Sequence, residues 1–322
     1  VAPHWRCAML KVLIIKTSSL GDVVHNLPVV TDIRRRFPDA RIDWAVEEAY
    51  APLVRLNPSV DGVVTVAIRR WRTRLLGRST WSEIGAMRRL FRRDQYDAVI
   101  DTQGLIKSAL LARAARGRHH GYDRASAREG IAARLYDVTH HISRDQHAVV
   151  RNRLLVGSAL GYRPDGPADY GVRDDAGAGE GGRYAVFLHA TSRADKLWPV
   201  EHWVGVGREL EARGLRTVLP WGSEDERKRS EELAAGLKRA RVPSLAPLAE
   251  VARLLAGAAV VVGVDTGLTH LAAALVVPVI ALYCGSDPVL TGVYGAARAR
   301  NLGAVGTLPE PASVVACLRE LG

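Results

Sequence analysis

Four segments carry residue types whose spacing could do chemistry. The first is Lys-Thr-Ser-Ser-Leu-Gly-Asp at 16–22, directly after the β-branched run at 12–15. In an open α/β sheet, a loop at the carboxyl end of a strand faces the ligand crevice. This loop would present Asp22 as a carboxylate and Ser19 as a hydroxyl, with Gly21 allowing close backbone approach. A helix expected from about residue 23 would add free N–H groups suited to an anion. Ser19 or Asp22 could equally serve only to cap that helix, and the residue types leave both readings open.

The second segment, Phe-Leu-His-Ala-Thr-Ser-Arg-Ala-Asp-Lys-Leu-Trp at 187–198, occupies the same strand-to-loop position later in the chain. It offers the hydroxyls of Thr191 and Ser192 and the ammonium of Lys196, a compact charge well matched to phosphate. The third is Val-Gly-Val-Asp-Thr-Gly-Leu-Thr-His at 262–270, where a strand ends near Asp265 and a helix follows. Backbone N–H groups of Thr266 and Gly267 at that helix start would cradle a diphosphate. Asp-Thr-Gly also occurs in aspartic proteases, but those are all-β and need two such carboxylates. The fourth, residues 69–93, holds nine arginines and a single acid, Glu83, interleaved with Trp71 and Trp81. Such a face suits nucleic acid, an anionic glycolipid or an acidic membrane surface.

Other signals fail on context. Gly-Ala-Gly-Glu-Gly-Gly at 177–182 spells a dinucleotide fingerprint but precedes a strand instead of following one. The pairs His119/His120 and His140/His141 lack ligand spacing to Cys or acid partners. They read as structural, surface or acceptor-side residues. With no Walker A lysine loop and no D-x-D motif, neither a metal nor a cofactor is expected.

The elements that must position these segments alternate. Strands are expected at 12–15, 42–46, 63–66, 98–101, 184–189, 216–219, 260–265 and 279–283, with amphipathic stretches such as 224–237 between them. Near-continuous apolar strands separated by helices imply parallel sheets covered on both faces. Residues 161–183 interrupt the rhythm with seven Gly, two Pro and four Asp, as an interdomain linker would. The expected organisation is a first domain over 9–165, a linker at 166–180 and a second domain over 181–322. Both would be Rossmann-like, facing across a cleft.

Composition bounds the partners. The chain has 322 residues, enough for two domains, and 48% of them are hydrophobic. No apolar run reaches the ~18–20 residues that a membrane span needs. Residues 1–8 lack the apolar stretch of a secretory signal, and Met9 is the expected natural start. Three cysteines, Cys7, Cys284 and Cys317, make an odd set without metal spacing, which suits a reducing cytoplasm. Residues 1–160 carry 27 Lys+Arg against 15 Asp+Glu, a balance of +12. Residues 161–322 carry 18 against 19, a balance of −1. The excess positive charge therefore sits in the first half, whose partner is expected to be anionic.

Together the segments resemble glycosyltransferase family 9, the family of the lipopolysaccharide heptosyltransferases. The resemblance rests on the motifs at 16–22, Asp-Thr-Gln-Gly-Leu-Ile-Lys-Ser at 101–108, His-Ala-Thr-Ser at 189–192, Asp-Lys-Leu-Trp-Pro at 195–199 and Asp-Thr-Gly-Leu-Thr-His at 265–270. Val-Ala-Ile-Arg-Arg-Trp-Arg at 66–72, Tyr-Ala-Val-Phe-Leu-His-Ala-Thr at 184–191 and Leu-Pro-Trp-Gly at 219–222 point to the branch that adds the first heptose.

The resemblance implies a GT-B fold, acceptor on the first domain and nucleotide sugar on the second. The reaction it implies moves L-glycero-D-manno-heptose from ADP-heptose onto the first Kdo of Kdo-bearing lipid A. It proceeds with inversion and without metal, at an anionic membrane surface on the cytoplasmic face of the bacterial inner membrane. By the same resemblance Asp22 is the catalytic base. Thr191, Ser192, Lys196, Thr266 and Gly267 meet the donor's diphosphate, Asp265 orients its sugar, Glu226 holds its ribose, and His270 lies one turn into the phosphate-facing helix. Ser19, Gly21, Gln103, Lys107, Arg69, Arg70, Arg72, Arg74 and Arg128 fall to the acceptor. Ser192 stands where the family pattern has a second Thr, and Leu-Ala-Pro at 245–247 replaces a Met-like adenine-side segment. The alternatives are a transferase of the same family with another acceptor, and a nucleic-acid-binding module built on residues 69–93. The second leaves Asp22, Lys196 and Asp265 unexplained.

Overall fold

Strand β1 (Lys11–Ile15) is buried over its last four residues, so its branched side chains pack on both faces of a sheet. Around it lie β2 (Arg41–Glu47), β3 (Gly62–Val66), β4 (Gln95–Asp101), β5 (Arg116–Tyr122) and β6 (Val138–His140), all parallel, in the order β3-β2-β1-β4-β5-β6. A second sheet repeats the pattern with β7 (Tyr184–Leu188), β8 (Arg216–Val218), β9 (Ala240–Arg241), β10 (Val260–Val264), β11 (Val279–Tyr283) and β12 (Ala299–Gly303), ordered β12-β11-β10-β7-β8-β9. Counted within its own sheet, each is a doubly wound 3-2-1-4-5-6 arrangement. Each therefore has one topological switch point, between β1 and β4 and between β7 and β10, where ligands bind beyond the strand ends.

This computed structural model describes residues 9–321 apart from 75, 173–182 and 192. The glycine-rich stretch at 177–182 lies outside them. The chain divides into two compact units, Val1–Gly171 and Val172–Gly322. Residues 165–171 are held by the first unit. Arg153 pairs with buried Asp32 at 2.7 and 2.9 Å and donates to the carbonyls of Asp165 and Gly166, while Asn57 Nδ2 donates to Tyr170 O.

In the first unit the helix Arg78–Arg93 buries Thr80, Met87 and Phe91, spaced to fall on one face. Met87 and Phe91 pack into a core with Leu13, Ile15 and Val99. In the second unit Phe187, Trp198 and Trp203 form an aromatic cluster, with ring centroids 4.8 Å (Phe187–Trp203) and 5.3 Å (Trp198–Trp203) apart. Trp198 is fully buried and its Nε1 donates to Pro309 O at 2.8 Å. That anchor lies two residues beyond Lys196 and fixes the loop that carries it.

The strands not expected from sequence are β5, β6, β9 and β12. Three of them, β6, β9 and β12, are edge strands, and β5, beside one, reads Arg-Gly-Arg-His-His-Gly-Tyr. Pairing with β4 and β6, not an apolar run, makes it a strand. Among the described residues no helix is long and apolar enough to cross a membrane.

Candidate active site

The first switch point is built by residues 16–22 and 101–105. Lys16 is buried, and its Nζ donates to Thr102 O at 2.8 Å. Thr17 donates through both N and Oγ1 to Gln103 Oε1, each at 2.8 Å. Gln103 is itself buried, so its amide is spent holding the loop. Gln103, expected on the acceptor side, thus also positions the loop that carries Thr17.

The helix after β1 starts at Leu20, not near residue 23, so Asp22 lies in its first turn. Asp22 Oδ2 accepts from Ser19 N at 3.0 Å and from Ser19 Oγ at 3.1 Å. The N–H expected to be open to an anion is therefore partly satisfied by this carboxylate. Asp22 is more than a cap, because Arg128 Nη2 also donates to its Oδ1 at 2.5 Å. Arg128 is placed there by a turn in which Gly104 adopts φ +69° and its carbonyl accepts from Glu129 N at 3.0 Å. Beneath the turn, buried Asp101 accepts from Ser108 Oγ and Tyr136 Oη, both at 2.7 Å.

Electrostatics follow from this packing. Burial works against ionisation of Asp22, but the charges of Lys16 and Arg128 and the Ser19 N–H outweigh it. They hold the carboxyl well below the usual carboxylate range. Burial pushes the Lys16 ammonium down to about 8, with Asp22 opposing the shift. The site thus presents an ionised carboxylate beside a lysine poised near neutral pH.

The expected acceptor arginines behave unequally. Arg70 bridges Glu48 at 3.0 Å and Glu83 at 2.9 Å, and Glu83 also accepts from Trp71 Nε1 at 2.8 Å. Arg69 lies over the Tyr50 ring, 5.6 Å from its centroid. Arg72, Arg74 and Lys107 are exposed, as is Ser19, and Gly21 is half-buried.

The second switch point gathers residues from three segments. Lys196 closes a short turn after β7, and its Nζ lies 2.5 Å from Asp265 Oδ2. Ser286 Oγ donates to the same oxygen at 2.6 Å, and His270 Nε2 lies 3.4 Å from Oδ1. Thr191 Oγ1 donates to the Asp265 carbonyl at 3.4 Å. Thr266 is the N-cap of the helix Gly267–Ala274, directly at this cluster. His270 is buried with a ring nitrogen toward Asp265, so its nearest anion is the carboxylate. Burial opposes ionisation of Asp265, but His270, Lys196 and Ser286 outweigh it and hold the carboxyl well below its ordinary range.

Glu226 lies in the first turn after β8, where its Oε2 accepts from Gly222 N at 2.7 Å. Leu245, in the adenine-side segment, is exposed. Ser192 lies outside the described residues. Sequence reasoning assigned no role to Lys16 or Ser286. Lys16 opened a motif already under discussion, whereas Ser286 stood in no recognisable pattern.

One switch point offers an ionised carboxylate, and the other a cation and a helix start suited to an anionic leaving group. Both sit at switch points of sheets with the same doubly wound order, where ligands bind. The profile of glycosyltransferase family 9 (heptosyltransferase) matches residues 84–314. Lipopolysaccharide heptosyltransferase 1 of Escherichia coli K12 is 46% identical over 291 residues, 89% of this chain and 91% of that one. The enzyme of the same name from Pseudomonas aeruginosa is 44% identical over 290 residues, 89% of this chain and 82% of that one. The solved structure of E. coli heptosyltransferase WaaC with ADP superposes with a TM-score of 0.88 at 43% identity, covering 97% of this chain and all of that one. The chain belongs to glycosyltransferase family 9.

Proposed function

We propose that the enzyme transfers L-glycero-D-manno-heptose from ADP-heptose to the first Kdo of Kdo-bearing lipid A, with inversion at the anomeric carbon. The observation that carries this reading is the Asp22 carboxylate, held by Arg128 and the Ser19 N–H at the switch point of the basic unit. Asp22 takes the proton of the attacking Kdo hydroxyl as that oxygen bonds to the anomeric carbon of heptose. The bond from that carbon to the diphosphate breaks, and its electron pair leaves on ADP. Lys196, Thr191, Ser192 and the N–H groups of Thr266 and Gly267 meet the charge that grows there. Asp265, backed by His270, orients the heptose, and Glu226 holds the ribose.

In this reading Arg69, Arg70, Arg72, Arg74, Arg128 and Lys107, with Ser19 and Gly21, attract the acceptor's phosphates and carboxylates. The enzyme works at the cytoplasmic face of the inner membrane. Support comes from the helix Arg78–Arg93, whose exposed Arg88, Arg89, Arg92 and Arg93 accompany exposed Trp81 and Leu76. Arginine beside aromatic and aliphatic side chains suits an anionic lipid surface.

Mass spectrometry of Kdo-bearing lipid A after incubation with ADP-heptose and the purified chain tests the assignment. Addition of one heptose, dependent on Asp22, is expected. Unmodified acceptor with intact ADP-heptose binding would move the enzyme to another acceptor.

A further inference from the structure

Ser286 lies in the loop after β11, the strand beside β10. Its hydroxyl and the Lys196 ammonium donate to one and the same oxygen, Asp265 Oδ2, at 2.6 and 2.5 Å. The loop reaches this position because residue 285 is glycine. A Cβ there would stand 2.7 Å from the Asp195 carbonyl oxygen and 2.8 Å from its carboxylate, within the turn that carries Lys196. Two loops thus converge on a single carboxylate oxygen, one bringing a charged donor and the other a neutral one.

A donor diphosphate changes the balance between them. It carries more negative charge than a carboxylate and draws the ammonium toward itself. Asp265, only 9% exposed in its side chain, then loses the ammonium on Oδ2 and keeps His270 beside Oδ1. A buried carboxylate oxygen that loses a charged donor is costly, and that cost opposes release of the lysine. A fixed hydroxyl on the same oxygen lowers it.

We propose that Ser286 is a positioning residue: by keeping Asp265 Oδ2 hydrogen-bonded, it frees Lys196 to engage the diphosphate of the nucleotide sugar. The inference rests on the donor-site reading above. It differs from a direct contact between Ser286 and the ligand, because Ser286 acts only while both Asp265 and Lys196 are present.

Calorimetric titration of the full chain with ADP tests it. Ser286→Ala is expected to weaken ADP binding about ten-fold or more, the scale of one hydrogen bond to a charged group. Ser286→Thr, which restores the hydroxyl, is expected to recover affinity to within about two-fold. In an Asp265→Ala background, Ser286→Ala is expected to change nothing. Lys196→Ala provides a second background with the same expectation, should Asp265→Ala fold poorly. Wild-type affinity in Ser286→Ala overturns the proposal. So does an equal loss in the Asp265→Ala or Lys196→Ala background, which would make Ser286 a direct ligand contact. A wild-type chain that binds no ADP overturns the donor-site reading itself, and the Ser286 proposal with it.

Discussion

Lys196 Nζ lies 2.5 Å from Asp265 Oδ2, although 69 residues separate them in the chain. The turn that carries Lys196 is anchored by buried Trp198, and Asp265 leaves the adjacent strand β10. Lys196 is therefore only 18% exposed in its side chain, and paired.

Lys196→Ala is expected to lower kcat by about 10²-fold or more, since the ammonium meets charge that grows on the leaving diphosphate. Because the pair is largely buried, a stability cost of about 1–2 kcal/mol is also expected. Adding Asp265→Asn removes the stranded charge and is expected to recover part of that cost. Thermal melting of the single and double variants checks the second statement, and single-turnover transfer the first. A single variant with wild-type kcat would remove Lys196 from the mechanism.

Asp22→Asn separates capping from catalysis. Asparagine caps helices as well as aspartate, so the turn at Ser19 survives. It cannot take the acceptor's proton, and loss of general-base assistance typically costs about 10²–10⁴-fold in rate. ADP affinity is expected to stay near wild type, because the nucleotide site is assigned to the other unit. Heptose transfer within a few-fold of wild type would reduce Asp22 to a cap.

The Lys16 ammonium gives the reaction a pH dependence. Its pKa is lowered from 10.5 to about 8 in the folded chain. Between those values the unfolded chain holds a proton that the folded chain has lost. This residue's contribution to stability therefore rises with pH across that window. Loss of the same charge leaves Asp22 a stronger base, so kcat at saturating substrates is expected to rise as pH passes about 8. Lys16→Met is expected to abolish that inflection. A variant profile that keeps it would assign the step to another group.

The arginines at 69–74 divide by their partners. Arg72 and Arg74 are exposed, so Arg72→Ala with Arg74→Ala is expected to raise acceptor KM and leave donor KM unchanged. Added salt is expected to imitate the double variant, since exposed charges are screened over ~8 Å at physiological ionic strength. Arg70→Ala is expected to behave differently, because it also removes the bridge to Glu48 and Glu83. Initial rates against each substrate at two salt concentrations distinguish these cases. A fall in donor affinity would contradict the assignment of substrates to units.

Residue types and periodicity alone determined the alternation of strands and helices and the loops that hold Asp22, Lys196 and Asp265. The runs that became β1, β2, β10 and β11 are buried on both sheet faces, and such strands must be apolar almost throughout. Strand β5 escaped that logic because its place beside β4 comes from backbone pairing with a neighbour, which leaves little mark on side-chain pattern. Tertiary structure alone decided what each polar side chain does. Gln103, an acceptor candidate in sequence, holds Thr17 across 86 residues. Arg128 meets Asp22 across 106 residues, and Ser286 reaches Asp265 only because Gly285 lets two loops close together. The order of strands in a parallel sheet sets which distant loops become neighbours. Hydrogen bonds and charge pairs are short-ranged, so the roles of these residues exist only once the sheet has formed.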